Sequence, residues 1–225
     1  MKRITFLLSF AYCLAALLNI YFVYTNNILL AHITKPVLMP LLMAIVFAET
    51  GLRDSFSKFF WGGLIFSWLG DIVLMYDGFF IWGLVCFLIA HLFYIVYLLR
   101  IKGPKGLIEF QPLFAIPILV YWLLLAGLLN DFLDALKIPV FIYGAIICSV
   151  WVAAFNLFWK IEKKTAALFF FGAFQFVLSD SILAINRFVY PFDMLPVLVM
   201  ITYCSAQFLL TLGCIRFSSI KSIES

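Results

Sequence analysis

Apolar runs of about twenty residues recur along the whole chain, and few charges interrupt them. A helix needs roughly 20 apolar residues to cross a hydrocarbon layer of about 30 Å, because every backbone polar group in lipid must be satisfied inside the helix itself. Divided at charged or turn-rich breaks, the sequence predicts eight such helices, at about 4–24, 34–50, 57–76, 79–99, 111–129, 137–159, 165–186 and 194–215. The expected fold is all-α: a polytopic bundle of eight transmembrane helices forming one integral membrane domain over residues 1–225. In the second run Pro36 and Pro40 are expected near the start, and a proline in a first turn costs little because its missing N–H would have no partner there.

Composition excludes the soluble alternatives. Charged residues make up 12% of the 225 positions and hydrophobic ones 66%, whereas a soluble domain carries about 25% charged residues. A net charge of +4 spread over such a chain points to no nucleic-acid partner; its distribution matters more than its total. The five cysteines fall in apolar runs without a CxxC pair, so no metal or other cofactor is expected. The opening "MKRITFLLSFAYCLAALLNIYFVY" starts like a secretory signal, but its apolar run exceeds the usual 7–15 residues and no small-x-small site ends it. It is expected to be a retained first span.

Basic residues orient the bundle. Under the eight-span division Lys2, Arg3, Arg53, Lys58, Arg100, Lys102, Lys105, Lys160, Lys163, Lys164, Arg216 and Lys221 share one side, and only Lys35, Lys137 and Arg187 the other. Short cytoplasmic loops retain Lys and Arg. Both termini are therefore expected in the cytosol, in the inner membrane if the organism is bacterial.

Against this background a few polar residues stand out. At 1.5 Å per residue, Asp71 is expected about 18 Å and Asp180 about 21 Å above the cytoplasmic boundary. His91, Tyr203 and Gln207 fall at about 12, 16 and 10 Å. All five are expected in the central half of the membrane. A mid-bilayer aspartate costs roughly 2.5–3.5 kcal/mol even on the mild insertion scale, so two of them require partners, protonation or a wet cavity. Gly63, Ser67 and Asp71 form a small-polar stripe, as do Tyr203, Gln207 and Thr211, while Gly172, Gln175 and Ser179 line an adjacent face. Interhelical hydrogen bonding accounts for Ser67, Gln175, Ser179 and Thr211. His91 suits either a helix contact or proton handling, and Lys35 either snorkels outward or holds a phosphate. A weak echo pairs Asp71 with Asp180, Gly63 with Gly172, Leu69 with Leu178 and Leu74 with Leu183, as a parallel four-plus-four repeat would.

Five blocks follow one another in order: "TKPVLMPLLM", "FSWLGDIVLM", "GLVCFLIAHLFYI", "FVLSDSILAINRF" and "MITYCSAQFLL". Through them the chain resembles the YhhN family of membrane proteins, whose animal members are lysoplasmalogenases. The resemblance implies an eight-span enzyme hydrolysing the vinyl ether of a lysophospholipid drawn from the membrane lipid, releasing a fatty aldehyde and glycerophospho-ethanolamine or -choline. It places the polar site on Lys35, Asp71, His91, Tyr94, Asp180, Asn186, Arg187, Tyr203 and Gln207.

Vinyl ether hydrolysis protonates the alkene carbon remote from the oxygen. Water then adds to the oxocarbenium ion, and the hemiacetal collapses to aldehyde and alcohol. One protonated and one ionised carboxyl meet those needs. Asp71 and Asp180 are the expected catalytic pair, and either can be the donor. His91 and Tyr203 are candidates to orient a carboxyl or the water, with Lys35, Asn186 and Arg187 at the headgroup. The rival is a proton-coupled carrier of a small amphiphile or lysolipid, since transporters also use mid-membrane carboxyls as proton relays.

Overall fold

A computed structural model describes residues 3–51 and 57–224, with side chains through residue 220. Of the basic residues counted above, Lys2, Arg53 and the Lys221 side chain lie outside the described residues. The described chain is helical and contains no strand. Its helices are α1 (Arg3–Tyr24), α2 (Ile28–Thr50), α3 (Ser57–Val73), α4 (Phe80–Leu99), the single turn α5 (Leu107–Phe110), α6 (Ile116–Leu129), α7 (Lys137–Phe155), α8 (Lys163–Ala184) and α9 (Leu195–Glu224). Turns of 3₁₀-helix flank α6, and a π-helical turn (Ile185–Val189) extends α8.

Seven of these segments are long and apolar enough to cross a membrane. The exception to the expected eight is α3, whose 17 residues end at Val73 before a turn over residues 74–76, three residues earlier than the apolar run suggested. Asp71 consequently lies in the last turn of α3. A second correction concerns α2, which begins at Ile28, so Pro36 and Pro40 sit inside it rather than near its start. Asn27 caps it by accepting the Leu30 N–H at 3.2 Å. Gly51, at φ +64°, closes it in the left-handed region open to glycine.

The two prolines leave a gap that a neighbour fills. Pro40 has no N–H to give the Pro36 carbonyl four residues earlier, and Trp68 Nε1 of α3 donates to that carbonyl at 2.9 Å. The freed acceptor thereby ties α2 to α3. Close approach of α3 to α4 depends on Gly63, where a Cβ would fall 2.3 Å from the Tyr94 ring.

Chain direction reverses at each connection, so the helix ends sort into two groups. At the basic end, Arg100 lies over the Phe59 ring, Lys160 pairs with Glu109 at 2.9 Å, and Arg216 grips both oxygens of Glu162 at 2.7 and 2.8 Å. Twofold donation by Arg216, with a further bond from Thr165, holds the Glu162 carboxyl down at about 2. Asn156 caps α5 by accepting the Ile108 and Glu109 N–H groups at 3.0 Å each. At the opposite end Arg187 lies over Phe80. The tightest helix pairs are α8 with α9, α3 with α4 and α1 with α2, and α9 is the most enclosed. Contacts of α4 with α7 and of α9 with α2 stitch the two halves of the chain together.

Candidate functional site

Asp71 is 1% exposed, and two side chains from other helices reach it. Tyr203 of α9 donates its hydroxyl to Oδ2 at 2.7 Å, and Lys35 of α2 places Nζ 3.5 Å from Oδ1. The carboxyl thus joins α3, α2 and α9, each of which brings one polar residue to the point of contact. Gly70, beside it, admits the Phe87 ring, which stands edge-on to Tyr203 with centroids 5.9 Å apart. Tyr12 of α1 donates to the carbonyl of Cys204, the residue after Tyr203, at 2.8 Å.

Lys35 faces two ways. Besides meeting Asp71 it lines a cavity of about 300 Å³ at the end of the bundle away from the basic residues. Asn19, His32, Met75, Asn186 and Met200 are among its other walls. The cavity is therefore built by the last turns of α1 and α8, the first turns of α2 and α9, and the turn after α3. Its volume sits at the lower edge of the range usual for small-molecule sites, about 300–1,000 Å³. Asp71 lies behind Lys35, outside the lining.

Asp180 occupies a different setting. It accepts a hydrogen bond from Tyr143 of α7 and lines a narrow cleft of about 40 Å³ between α6, α7 and α8, together with Trp122, Cys148 and Ser181. The rest of its lining is mostly apolar, with Tyr143, Asp180 and Ser181 as the polar groups that a water in this volume could meet. Ser181 there accepts a bond from the Tyr121 hydroxyl at 2.8 Å. The two aspartates line no common cavity among those found in the described residues. A run of ring contacts links their surroundings: Tyr203 to Phe176 at 5.5 Å, Phe176 to His91 at 4.7 Å and His91 to Tyr143 at 5.5 Å between centroids.

The other expected site residues divide accordingly. His91 is 0% exposed; neither ring nitrogen has a hydrogen-bond partner, and its ring packs against those of Phe176 and Tyr143. Tyr94 donates to Gln207 Oε1 at 2.8 Å, deeper in the bundle, where Ser67 of α3 and Thr211 of α9 are also buried. Asn186 lines the cavity while its Oδ1 accepts the Phe192 N–H at 3.2 Å. Arg187 stacks on Phe80, and only Asn186 of this adjacent pair lines the cavity. Four residues escaped the sequence analysis: Tyr12, Asn19, His32 and Tyr143. For two of them a signal existed, because Tyr12, Ala16 and Asn19 recur at helical spacing as the buried face of an otherwise lipid-exposed α1. Among the described residues no three His, Cys, Asp or Glu side chains gather where a metal ion would sit.

The blocks that build this geometry, from Thr34 to Leu210, fall within residues 30–214, the stretch matched by the family model described as the YhhN family. The chain belongs to the YhhN family. Among curated relatives it is 32% identical over 163 residues to lysoplasmalogenase TMEM86B of Mus musculus, covering 72% of this chain and 65% of that protein. Against lysoplasmalogenase TMEM86B of Rattus norvegicus the identity is 29% over 191 residues, covering 84% and 73%. Lysoplasmalogenase TMEM86A of Homo sapiens is 30% identical, covering 68% and 64%. The match thus spans about two thirds of the length of the mouse relative. No solved structure matches this YhhN chain.

Proposed function

We propose that this YhhN protein is a lysoplasmalogenase-like hydrolase, cleaving the vinyl ether of a 1-alkenyl lysophospholipid to a fatty aldehyde and a glycerophospho-alcohol. Support comes from relatives named lysoplasmalogenase at about 30% identity and, above all, from one observation. A carboxyl buried in a membrane bundle is held between a tyrosine and a lysine, and that lysine forms the wall of a cavity suited to the polar end of a lipid.

In this scheme Lys35 draws the phosphate into the cavity, and Asn186 and His32 complete the polar walls. When the phosphate draws Lys35 away, the Asp71 carboxylate behind it takes up a proton from solvent and gives it to the alkene carbon remote from the oxygen. That carbon gains a C–H bond from the π electrons, and positive charge develops on the adjacent carbon and oxygen. The carboxylate left on Asp71 faces this charge and lowers its energy electrostatically. Water adds to the cation and loses a proton, and the hemiacetal then breaks its C–O bond as it gives up its hydroxyl proton and the departing glycerol oxygen gains one, releasing the aldehyde and the alcohol. Asp180, beside a cleft with room for water, is the second carboxyl and takes up the proton of the attacking water. For both to serve one substrate, the partition of Tyr203, Phe176 and His91 has to part when the lipid enters. Tyr203 orients Asp71 and Tyr143 orients Asp180. Tyr94 and Gln207 brace the helices beneath, and Arg187 fixes the turn that carries Asn186.

The same proposal includes eight spans, with α3 completing its crossing through the turn that follows it, and both termini on the basic, cytoplasmic side. In a bacterial cell that places the protein in the inner membrane. The test is aldehyde release from lysoplasmenyl-ethanolamine by the detergent-purified protein. Asp71→Asn and Asp180→Asn are each expected to lower turnover at least about 100-fold, in line with loss of a general acid or base, while the protein still elutes as a folded species. Near-normal turnover in either variant removes that aspartate from the scheme. Uptake into proteoliposomes without cleavage would replace the enzyme by a proton-coupled carrier.

A further inference from the structure

One residue of the cavity lining carries a buried polar atom that the chemistry above leaves unused. Asn19 of α1 belongs to the lining and is 0% exposed. Its Nδ2 donates to the Ala31 carbonyl at 2.9 Å and to the Thr34 hydroxyl oxygen at 2.8 Å. A carbonyl can only accept, so the Ala31 contact settles which end of the amide is nitrogen. Both amide hydrogens are therefore spent, and Oδ1 is left buried without a partner. Buried acceptors without partners are uncommon, and each calls for a donor.

The position of this acceptor narrows the choice of donor. Through Thr34 it is tied to the residue immediately before Lys35, the lysine that meets Asp71. Asn26, Ile28 and Asn186, at helix ends, form the outer rim of the same cavity. A lysolipid whose vinyl ether lies near Asp71 carries its free hydroxyl on the neighbouring glycerol carbon. Any headgroup ammonium lies beyond the phosphate, toward the rim. We propose that Asn19 Oδ1 accepts a hydrogen bond from the free glycerol hydroxyl, and that this contact makes the cavity select lysolipids over lipids substituted at that oxygen. The inference rests on the cavity being the seat of a lysolipid's polar end. An acylated or alkylated oxygen has no hydrogen to give, so its entry leaves Oδ1 desolvated and unpaired. Sites built to bond a substrate hydroxyl reject analogues lacking it far more strongly than apolar pockets reject a missing methylene.

The test uses non-cleavable lipids, so that binding is read apart from chemistry. A saturated 1-alkyl glycerophosphoethanolamine with a free 2-hydroxyl is titrated against the full-length purified protein, beside its 2-deoxy analogue and its N-trimethylated counterpart. In the wild type the 2-deoxy lipid is expected to bind roughly 10- to 100-fold more weakly than the 2-hydroxy lipid. In Asn19→Ala that ratio should fall to within about threefold, whatever fraction of the variant folds, because each ratio is taken within one preparation. Equal binding of the hydroxy and deoxy lipids to wild type overturns the inference, and so does a ratio that survives in Asn19→Ala or the absence of binding by any of the lipids. If only the trimethylated lipid loses affinity, the donor is the headgroup ammonium and the hydroxyl assignment is wrong. Aldehyde release from the 1-alkenyl lipid, measured in parallel, keeps the two claims apart. Hydroxyl-dependent binding without cleavage removes the enzyme and leaves the hydroxyl contact standing; cleavage without hydroxyl preference does the reverse.

Discussion

Replacing Lys35 by Met isolates the worth of the charge beside Asp71 while keeping most of the side-chain volume. Two unit charges 3.5 Å apart attract by about 5 kcal/mol at an effective dielectric constant of 20. Part of that is lost to screening, because the Lys35 side chain is 21% exposed toward the cavity while that of Asp71 is 2% exposed. Lys35→Met should therefore destabilise the fold by about 3 kcal/mol, the lower part of the range for breaking a buried pair. Adding Asp71→Asn to Lys35→Met removes the stranded carboxyl and should restore at least about 2 kcal/mol of that loss, since the amide still accepts the Tyr203 hydroxyl. Asp71→Asn alone should cost only about 1 kcal/mol, because the lysine can turn its ammonium into the cavity. Reversible unfolding in mixed micelles with increasing SDS, followed by the fluorescence of the six tryptophans, gives all four stabilities. A double variant no more stable than Lys35→Met would show that the lysine does not neutralise Asp71.

Two further outcomes follow from the ends and seams of the bundle. Trp68→Phe strands the Pro36 carbonyl and should cost about 1–2 kcal/mol, yet less than about 0.5 kcal/mol in a Pro40→Ala background, where residue 40 regains the N–H that the carbonyl needs; equal losses in both backgrounds would sink this account. At the basic end, Arg216 and then Thr165 hold Glu162 ionised down to about 2, against an ordinary value of 4.5. A carboxyl depressed on folding contributes fully above its unfolded value and loses that contribution as pH falls toward its folded one. The stability difference between wild type and Glu162→Gln should thus stay constant above pH 5, shrink below about 4.5 and vanish near 2; a difference that persists below pH 2 would refute it.

The helices were readable because lipid leaves so few choices, but their limits were not always so. His32 and Lys35 look like the polar margin of a span, which delayed the expected start of α2 to residue 34; in the fold they face a cavity, and a cavity wall tolerates polar side chains inside a helix. Depth along the chain brought Asp71 and Tyr203 near one level, and they meet at 2.7 Å. The same logic was blind to the partner of Asp180. Tyr143 lies in "FIYGAII", an evenly apolar stretch whose only polar atom is the hydroxyl that finds the carboxyl. Asn19 was equally hidden, since a lone amide in a span says nothing of where its two ends point until the neighbouring helix is in place.

Each carboxyl has a partner that precedes it in the chain: Lys35 comes before Asp71, and Tyr143 before Asp180. During synthesis, therefore, neither acid need wait for its first partner. When α3 follows α2, Asp71 finds the Lys35 ammonium within the same pair of helices, and that pairing lowers the cost of carrying the carboxyl into an apolar layer. Tyr203 emerges 132 residues after Asp71, so the final contact with that carboxyl forms only when the last helix arrives. The order of the residues along the chain gives each carboxyl a partner as it emerges and completes the Asp71 site only once the last helix is in place.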